Sequence, residues 1–265
     1  MLKVVIVGCT GRMGHALLEG IFADSELALH AALDRADSPQ LGKDAGEQCG
    51  KTTSVKITSD VNAINGADVL IDFTRPEASL QYLAACEAAG VKMVIGTTGF
   101  TPEQKARIAQ ASQNLGIVFA PNMSVGVTLL TNLVQAAAKV LKQGYDIEVI
   151  EAHHRHKVDA PSGTALRLGE AAAAGAGRDF EKVALYAREG ITGERDPDTI
   201  GFATVRGGDI VGDHTVLFAG TGERIELTHK ASSRATFAVG ALRAAKFLAG
   251  KQRGLYDMQD VLELK

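Results

Sequence analysis

A short apolar strand running straight into a glycine-spaced turn constrains this 265-residue chain more than any other feature. Val4-Val5-Ile6-Val7 is an unbroken apolar run, as a strand buried on both faces requires. Gly8-Cys9-Thr10-Gly11-Arg12-Met13-Gly14 follows at once, and residues 13–22 then read as a helix. The spacing is G-x-x-G-x-x-G rather than G-x-G-x-x-G, yet each glycine keeps a physical job. Gly8 makes the tight turn, Gly11 lets the backbone approach a pyrophosphate, and Gly14 lets helix and strand pack closely. The helix N-terminus offers free N–H groups and a partial positive charge to the phosphates.

The same rhythm repeats through residue 120. Apolar runs at 27–33, 69–71, 93–95 and 117–119 alternate with helix-like stretches at 76–89 and 102–114. The last opens with Thr101-Pro102-Glu103-Gln104, an N-cap, a proline at the first helical position and a capping-box glutamine. Strands alternating with helices predict a Rossmann-like parallel α/β sheet, with ligands at the carboxyl ends of its strands. Asp34 lies 20 residues after Gly14, at the end of the second strand, where a ribose-binding acid is expected.

A carboxylate there suits the ribose hydroxyls of NADH and repels the 2′-phosphate of NADPH. Arg35 beside it and Arg12 in the glycine loop could each pair with that phosphate, so use of both cofactors is expected. Three further loops leave strand ends: Asp72-Phe73-Thr74-Arg75, Gly96-Thr97-Thr98-Gly99-Phe100 and Ala120-Pro121-Asn122-Met123-Ser124. Their small and hydroxyl residues suit the nicotinamide ribose and carboxamide. Thr74 also reads as the N-cap of the helix that begins at Pro76.

Composition serves mainly to exclude. A net charge of −3 gives no general attraction to nucleic acid or anionic membrane. No apolar run approaches a membrane span, and the N-terminus lacks the pattern of a signal peptide. Three cysteines at wide spacing argue against a disulfide framework and fit a reducing cytoplasm. Glycine is abundant, 29 of 265 residues, without a collagen period, which indicates many tight turns.

The densest polar segment is Glu151-Ala152-His153-His154-Arg155-His156-Lys157-Val158-Asp159-Ala160-Pro161-Ser162-Gly163-Thr164-Ala165. It follows a strand-like run at 146–150 and precedes a helix started by Pro161 and Ser162 over 165–174. Metal binding is disfavoured. Strand alternation would put 151 and 153 on one face and 154 and 156 on the other, with no cysteine or H-x-x-x-H pair to complete a set. A solvated basic loop is the plainer alternative. An anion-binding site with an acid catalyst fits best: His153 or His154 can protonate near neutral pH, and Lys157 adds a fixed charge or second acid. Ser162, Gly163 and Thr164 at a helix start offer donors to a carboxylate. With a hydride donor from the first half, the expected reaction is reduction of a polarised C=N or conjugated C=C in a small carboxylate compound.

The glycine loop, Gly96-Thr97-Thr98-Gly99, Ala120-Pro121-Asn122-Met123-Ser124-Val125-Gly126-Val127 and the 153–165 segment together resemble the dihydrodipicolinate reductase (4-hydroxy-tetrahydrodipicolinate reductase) family. Val205-Arg206-Gly207-Gly208-Asp209-Ile210-Val211-Gly212-Asp213-His214 and Ser233-Arg234 also fit. The resemblance spans nearly the whole chain, and its H-H-x-x-K-x-D-A-P-S-G-T-A run is highly specific. It implies reduction of a heterocyclic dicarboxylate with NADH or NADPH, in diaminopimelate and lysine biosynthesis, with no metal. His153 matches the family's proton donor and Lys157 its second donor; His154, Gly163 and Thr164 match substrate positions. Residues 8–14, Asp34, Arg35, 96–98 and 120–123 match cofactor contacts, with Met123 standing where some members have an aromatic.

After Ser124 the βα rhythm changes. A helix-like stretch at 128–141 leads to strand-like runs at 146–152, 183–186, 202–205, 215–219 and 225–228. Strands in succession predict a second, α+β domain with a mixed or antiparallel sheet. The expected division is 1–124 with 234–265 for the dinucleotide domain and 125–233 for substrate binding. The return of the helix at 233–248 to the first domain, and a homotetramer built by the second domain's sheets, are implied by the resemblance. Two rivals remain open: another NAD(P)-dependent reductase sharing the first half, and a redox sensor that binds NADPH without turnover.

Overall fold

The computed structural model describes residues 1–265. They divide into two compact units, Met1–Val125 with Arg234–Lys265, and Gly126–Ser233.

In the first unit the order is β1 (Leu2–Val7), α1 (Arg12–Ala23), β2 (Leu27–Leu33), β3 (Ile57–Thr58), β4 (Val69–Asp72), α2 (Pro76–Ala89), β5 (Lys92–Ile95), α3 (Pro102–Ala111) and β6 (Gly116–Phe119). The second unit contributes α4 (Val125–Val140), β7 (Asp146–His153), α5 (Gly163–Ala176), α6 (Phe180–Val183), β8 (Ala184–Leu185), β9 (Ile200–Arg206), β10 (Gly212–Ala219) and β11 (Arg224–Ala231). The chain then rejoins the first unit through α7 (Ala235–Ala249), β12 (Gly254–Tyr256) and α8 (Met258–Val261).

The first unit is a seven-stranded sheet in the order β12-β6-β5-β4-β1-β2-β3, parallel throughout. Side chains alternate across a strand, so the continuous apolar runs serve two cores at once. Val4 and Ile6 of β1, with Val69 and Ile71 of β4, face α1 and α7; Val5, Val7 and Leu70 face α2 and α3. Leu17, Leu18 and Ile21 of α1 are buried there, each stabilising the fold by about 2 kcal/mol relative to exposure. Thr101 caps α3 through a complete capping box with Gln104, as its sequence predicts.

The second unit is a five-stranded mixed sheet, β11-β10-β7-β9-β8. β7 pairs antiparallel with β10 and parallel with β9. Ile147, Val149, Val216, Phe218 and Phe202 pack against α4 and α5. No helix of the chain is long and apolar enough to cross a membrane.

Several local expectations differ from the structure. α3 ends at Ala111 rather than 114. The N-cap of α2 is Arg75, without a side-chain cap, because the Thr74 hydroxyl turns back to Asp72 at 2.6 Å. Residues 183–186 form the end of α6 and the two-residue β8 instead of a full strand. β7 stops at His153, so His154 and His156 lie in the following turn and strand alternation does not apply to them. β3, β12 and α8, each four residues or fewer, carry too little periodicity to be read in advance.

Candidate functional site

The first unit presents a cradle at the carboxyl end of β1. Gly8 has φ +64°, a left-handed turn that only glycine adopts without strain. Gly11 is the N-cap of α1 with no side chain over it, and the first turn of α1 carries no acidic residue. A Cβ on Gly14 would stand 2.4 Å from the Gly8 carbonyl oxygen, so helix and strand approach this closely only with glycine there. Gly11, Arg12, Met13 and Gly14 at the start of α1 line a cleft together with Phe73 and Arg234. The sequence named the last two only within longer stretches, Phe73 in a strand-end loop and Arg234 in a family-like segment. Phe73 lies over Gly96, where a Cβ would strike its ring.

Asp34 is buried at the end of β2. Its Oδ2 accepts hydrogen bonds from the Thr10 amide at 3.2 Å and from the Thr10 hydroxyl, and its Oδ1 accepts from the Arg35 amide at 2.8 Å. Arg35 itself is exposed and pairs with Asp37 at 3.1 Å. Below the next strand end, Asp72 is fully buried and accepts from Thr74 and Ser79. Burial raises its carboxyl above the ordinary range against those hydrogen bonds.

This cradle fits a dinucleotide: bare amides and a glycine-lined approach for the pyrophosphate, and a carboxylate for a ribose. Not every residue expected to touch the cofactor can do so by its side chain. Cys9 and Met123 are fully buried in the apolar core under α1 and α7, and Thr97 and Ala120 are also buried. Cys9, Ala120 and Met123 can offer a ligand only backbone, because their side chains complete the core, whereas the Thr97 hydroxyl is buried without a hydrogen-bond partner. Thr98 and Pro121 are exposed, and Gly96 and Asn122 are half-buried.

The second unit gathers the polar segment at the end of β7. Residues 151 and 153 share one face of the strand, and register brings His214 of β10 opposite Glu151 and Arg206 of β9 opposite His153. Glu151 is 1% exposed and saturated. It accepts from His153 Nδ1 at 2.5 Å, from both terminal nitrogens of Arg206 at 2.8 Å each, and from the Ser162 amide at 3.1 Å. Burial alone would raise its carboxyl; these donors, Arg206 foremost, hold it below the ordinary range.

The His153 side chain is 10% exposed, and its ring makes its hydrogen bond through Nδ1, leaving Nε2 unengaged by the protein. Its ring meets His214 edge-on, centroids 5.0 Å apart. His214 bonds to the Ser162 hydroxyl at 3.0 Å, and burial, then the neighbouring His153, push it down to about 4. Lys157 pairs with Asp159 at 2.8 Å. The backbone of His154 is pinned to Ile210 at 2.7 Å, and its Nδ1 is buried without a hydrogen-bond partner.

Ser162 departs from its expected role as a substrate contact. Its hydroxyl caps α5 by accepting from the Ala165 amide at 3.1 Å and is engaged by His214, so it is part of the frame. Gly163 is exposed and Thr164 half-buried at the start of α5, whose first turn holds no acid. Glu151 entered the sequence reading only as a metal ligand, while Arg206 and His214 were merely part of a family-like stretch. Their separation of 55 and 52 residues from Glu151 and Ser162 leaves no local signal.

A parallel sheet with a bare-amide cradle and an acid–anion cluster define an NAD(P)H-dependent oxidoreductase of Rossmann type. The chain matches the family model "Dihydrodipicolinate reductase, N-terminus" over residues 2–123 and "Dihydrodipicolinate reductase, C-terminus" over 126–262, and it belongs to the dihydrodipicolinate reductase family. It is 64% identical over 265 residues to the 4-hydroxy-tetrahydrodipicolinate reductase of Thiobacillus denitrificans, covering 100% of this chain and 99% of that one. It is 63% identical over 265 residues to that of Laribacter hongkongensis, with the same coverage. Among solved structures it resembles the dipicolinate-bound dihydrodipicolinate reductase from Paenisporosarcina sp. TG-14, with a TM-score of 0.78, 26% identity and 98% of each chain covered.

Proposed function

We propose that this protein reduces 4-hydroxy-tetrahydrodipicolinate to tetrahydrodipicolinate with NADH or NADPH, on the route to diaminopimelate and lysine. The observation that carries this reading is His153: a nearly buried imidazole held through Nδ1 by an ionised carboxylate, with Nε2 unengaged. The relatives' shared name supplies the substrate. A nicotinamide cofactor held at residues 8–14 and Asp34 would supply the hydride.

The protein's own residues handle charge and protons. Lys157 and the Gly163 and Thr164 amides at the start of α5 receive the substrate carboxylates. Lys157 exchanges Asp159 for the substrate and donates a proton to the departing hydroxyl, whose C–O bond breaks to release water; the adjacent carbon gives its proton to the Lys157 amine as the C=C bond forms, restoring the ammonium. His153 passes its Nε2 proton to the ring atom next to the hydride acceptor, so the reduction consumes one hydride and one proton. In the first unit, residues 11–14 receive the pyrophosphate, Asp34 a ribose, and Arg12 or Arg35 a 2′-phosphate.

A homotetramer working in the cytoplasm completes the reading. The face of the mixed sheet opposite its helices exposes Ile150 at 40% and Val205 at 51%, apolar surface suited to another copy.

The test follows nicotinamide absorbance with substrate freshly made by its synthase. NADH and NADPH are both oxidised, with kcat/KM values within about a thousandfold of each other. No oxidation of either overturns the reading and favours a cofactor-binding sensor. His153→Gln and Lys157→Ala each lose kcat by roughly 100-fold. Light scattering checks the assembly, and a monomer at micromolar concentration contradicts the tetramer.

A further inference from the structure

The acid at position 153 is only as useful as the orientation and protonation state of its ring. Neutral imidazole has two tautomers, and which one forms is set by the partner of the other nitrogen. Here that partner is Glu151, on the same strand face two residues earlier, at 2.5 Å from Nδ1. Four donors converge on this carboxylate, two of them from Arg206. Arg206 is itself anchored, donating to the Asp159 and Val205 carbonyls at 2.7 Å each. A guanidinium fork on both oxygens keeps the carboxylate ionised and fixes its plane.

We propose that Glu151, clamped by Arg206, is the positioning residue that holds His153 with Nδ1 protonated and Nε2 directed to the reacting substrate. It rests on the reading of His153 as proton donor. In the charged ring both nitrogens carry hydrogen. When the Nε2–H bond breaks, the electron pair stays on Nε2, the proton forms a new bond to substrate, and Nδ1–H remains on Glu151. The ring is left in the tautomer whose bare Nε2 takes up the next proton. Without the carboxylate, the neutral ring could equally place its hydrogen on Nε2 or rotate.

The neighbours are arranged to leave this pair undisturbed. Gly212 stands beside the ring, and a Cβ there would come within 3.0 Å of Nε2. His214 from β10 gives its Nε2 to Ser162. Arg206 of β9 lies opposite His153 in register, and Arg155, Lys157 and Asp159 follow in the next loop. Lys157 and Asp159 are paired with one another.

The test is a double-mutant cycle on the full-length enzyme. Glu151→Gln lowers kcat by roughly 10- to 100-fold while KM stays within about threefold. Its kcat–pH profile loses or shifts the limb due to the acid. In a His153→Gln background the same change has no further effect, because Glu151 acts through His153. Nitrogen-15 histidine spectra show a low-field Nδ1 proton that disappears in both single variants. If Glu151→Gln does not fold, Glu151→Asp serves instead, keeping a charge near Arg206 while drawing the carboxylate away from His153. It too lowers kcat and moves the pH profile. A Glu151 variant with wild-type kcat and pH profile overturns the inference alone, as does an equal loss in the His153→Gln background. Wild-type kcat in His153→Gln overturns the proton-donor reading itself.

Discussion

Asp34, the first residue after β2, is tied through Oδ2 to the backbone amide of Thr10 at 3.2 Å and to its hydroxyl. The residue expected to read a ribose is therefore coupled directly to the loop expected to hold the phosphates. A carboxylate at this point repels a 2′-phosphate, and the Thr10 donors spread part of its charge. Asp34→Asn removes the charge while retaining an acceptor for Thr10. The ratio of kcat/KM for NADPH over NADH rises by roughly tenfold, equivalent to about 1.4 kcal/mol. Steady-state kinetics with each cofactor checks this, and an unchanged ratio removes Asp34 from cofactor selection.

Gly14 tests the cradle by space rather than charge. An alanine Cβ would lie 2.4 Å from the Gly8 oxygen and 2.5 Å from the Cys9 oxygen, both backbone atoms that cannot step aside cheaply. Gly14→Ala forces α1 away from β1 and disorders the phosphate-binding amides. Thermal melting falls by several degrees, and the Kd for NADH, read by fluorescence, rises by roughly tenfold or more. Wild-type affinity in this variant contradicts the close-packing role.

His214 makes stability depend on pH. A histidine in the unfolded chain takes up a proton near 6.5, whereas His214 does so only at about 4. Between those values the unfolded state binds more protons, so stability falls as pH falls through the window and is fully present above it. The loss is on the order of 2 kcal/mol at a pH of about 4.5. His229, lowered by burial, acts in the same direction. His214→Gln, which can still reach Ser162, flattens the drop in melting temperature between about pH 7 and 4.5. An unchanged drop assigns the pH sensitivity to other groups.

The cysteines differ in access. Burial, then the nearby Asp34, push the Cys9 thiol up to about 12, and burial does the same to Cys86. Both remain protonated and shielded at neutral pH, although Cys9 lies in the glycine loop. Cys49 is half-buried. A disulfide reagent added to the native protein titrates at most one thiol quickly, and all three after denaturation. Rapid labelling of Cys9 would show that the glycine loop opens far more readily than its core packing allows.

Much of the fold is written in local patterns. Turn chemistry and apolar runs mark β1, β2, β4, β5 and β6 because each is buried on both faces; α2 announces itself by its first-turn proline, and α3 by proline and a capping box. The candidate acid His153, Lys157 and the start of α5 all lie within 153–164, so the candidate site is also a local signal. What escapes is work done across distance. Met123 and Cys9 sit in ligand-like motifs yet fill the core, and Ser162 looks like a substrate donor yet caps α5 and holds His214.

The amino-acid order by itself determined the two kinds of domain, the glycine turn that opens α1, and the candidate acid with its cationic neighbour, because period and turn geometry act over a few residues. Only the tertiary structure decided what surrounds that acid. The pairing of β7 with β9 and β10 brings Arg206 and His214 to Glu151 and His153. Strand register is set by packing between segments far apart in sequence, so the partners that hold His153 exist only once the sheet has formed.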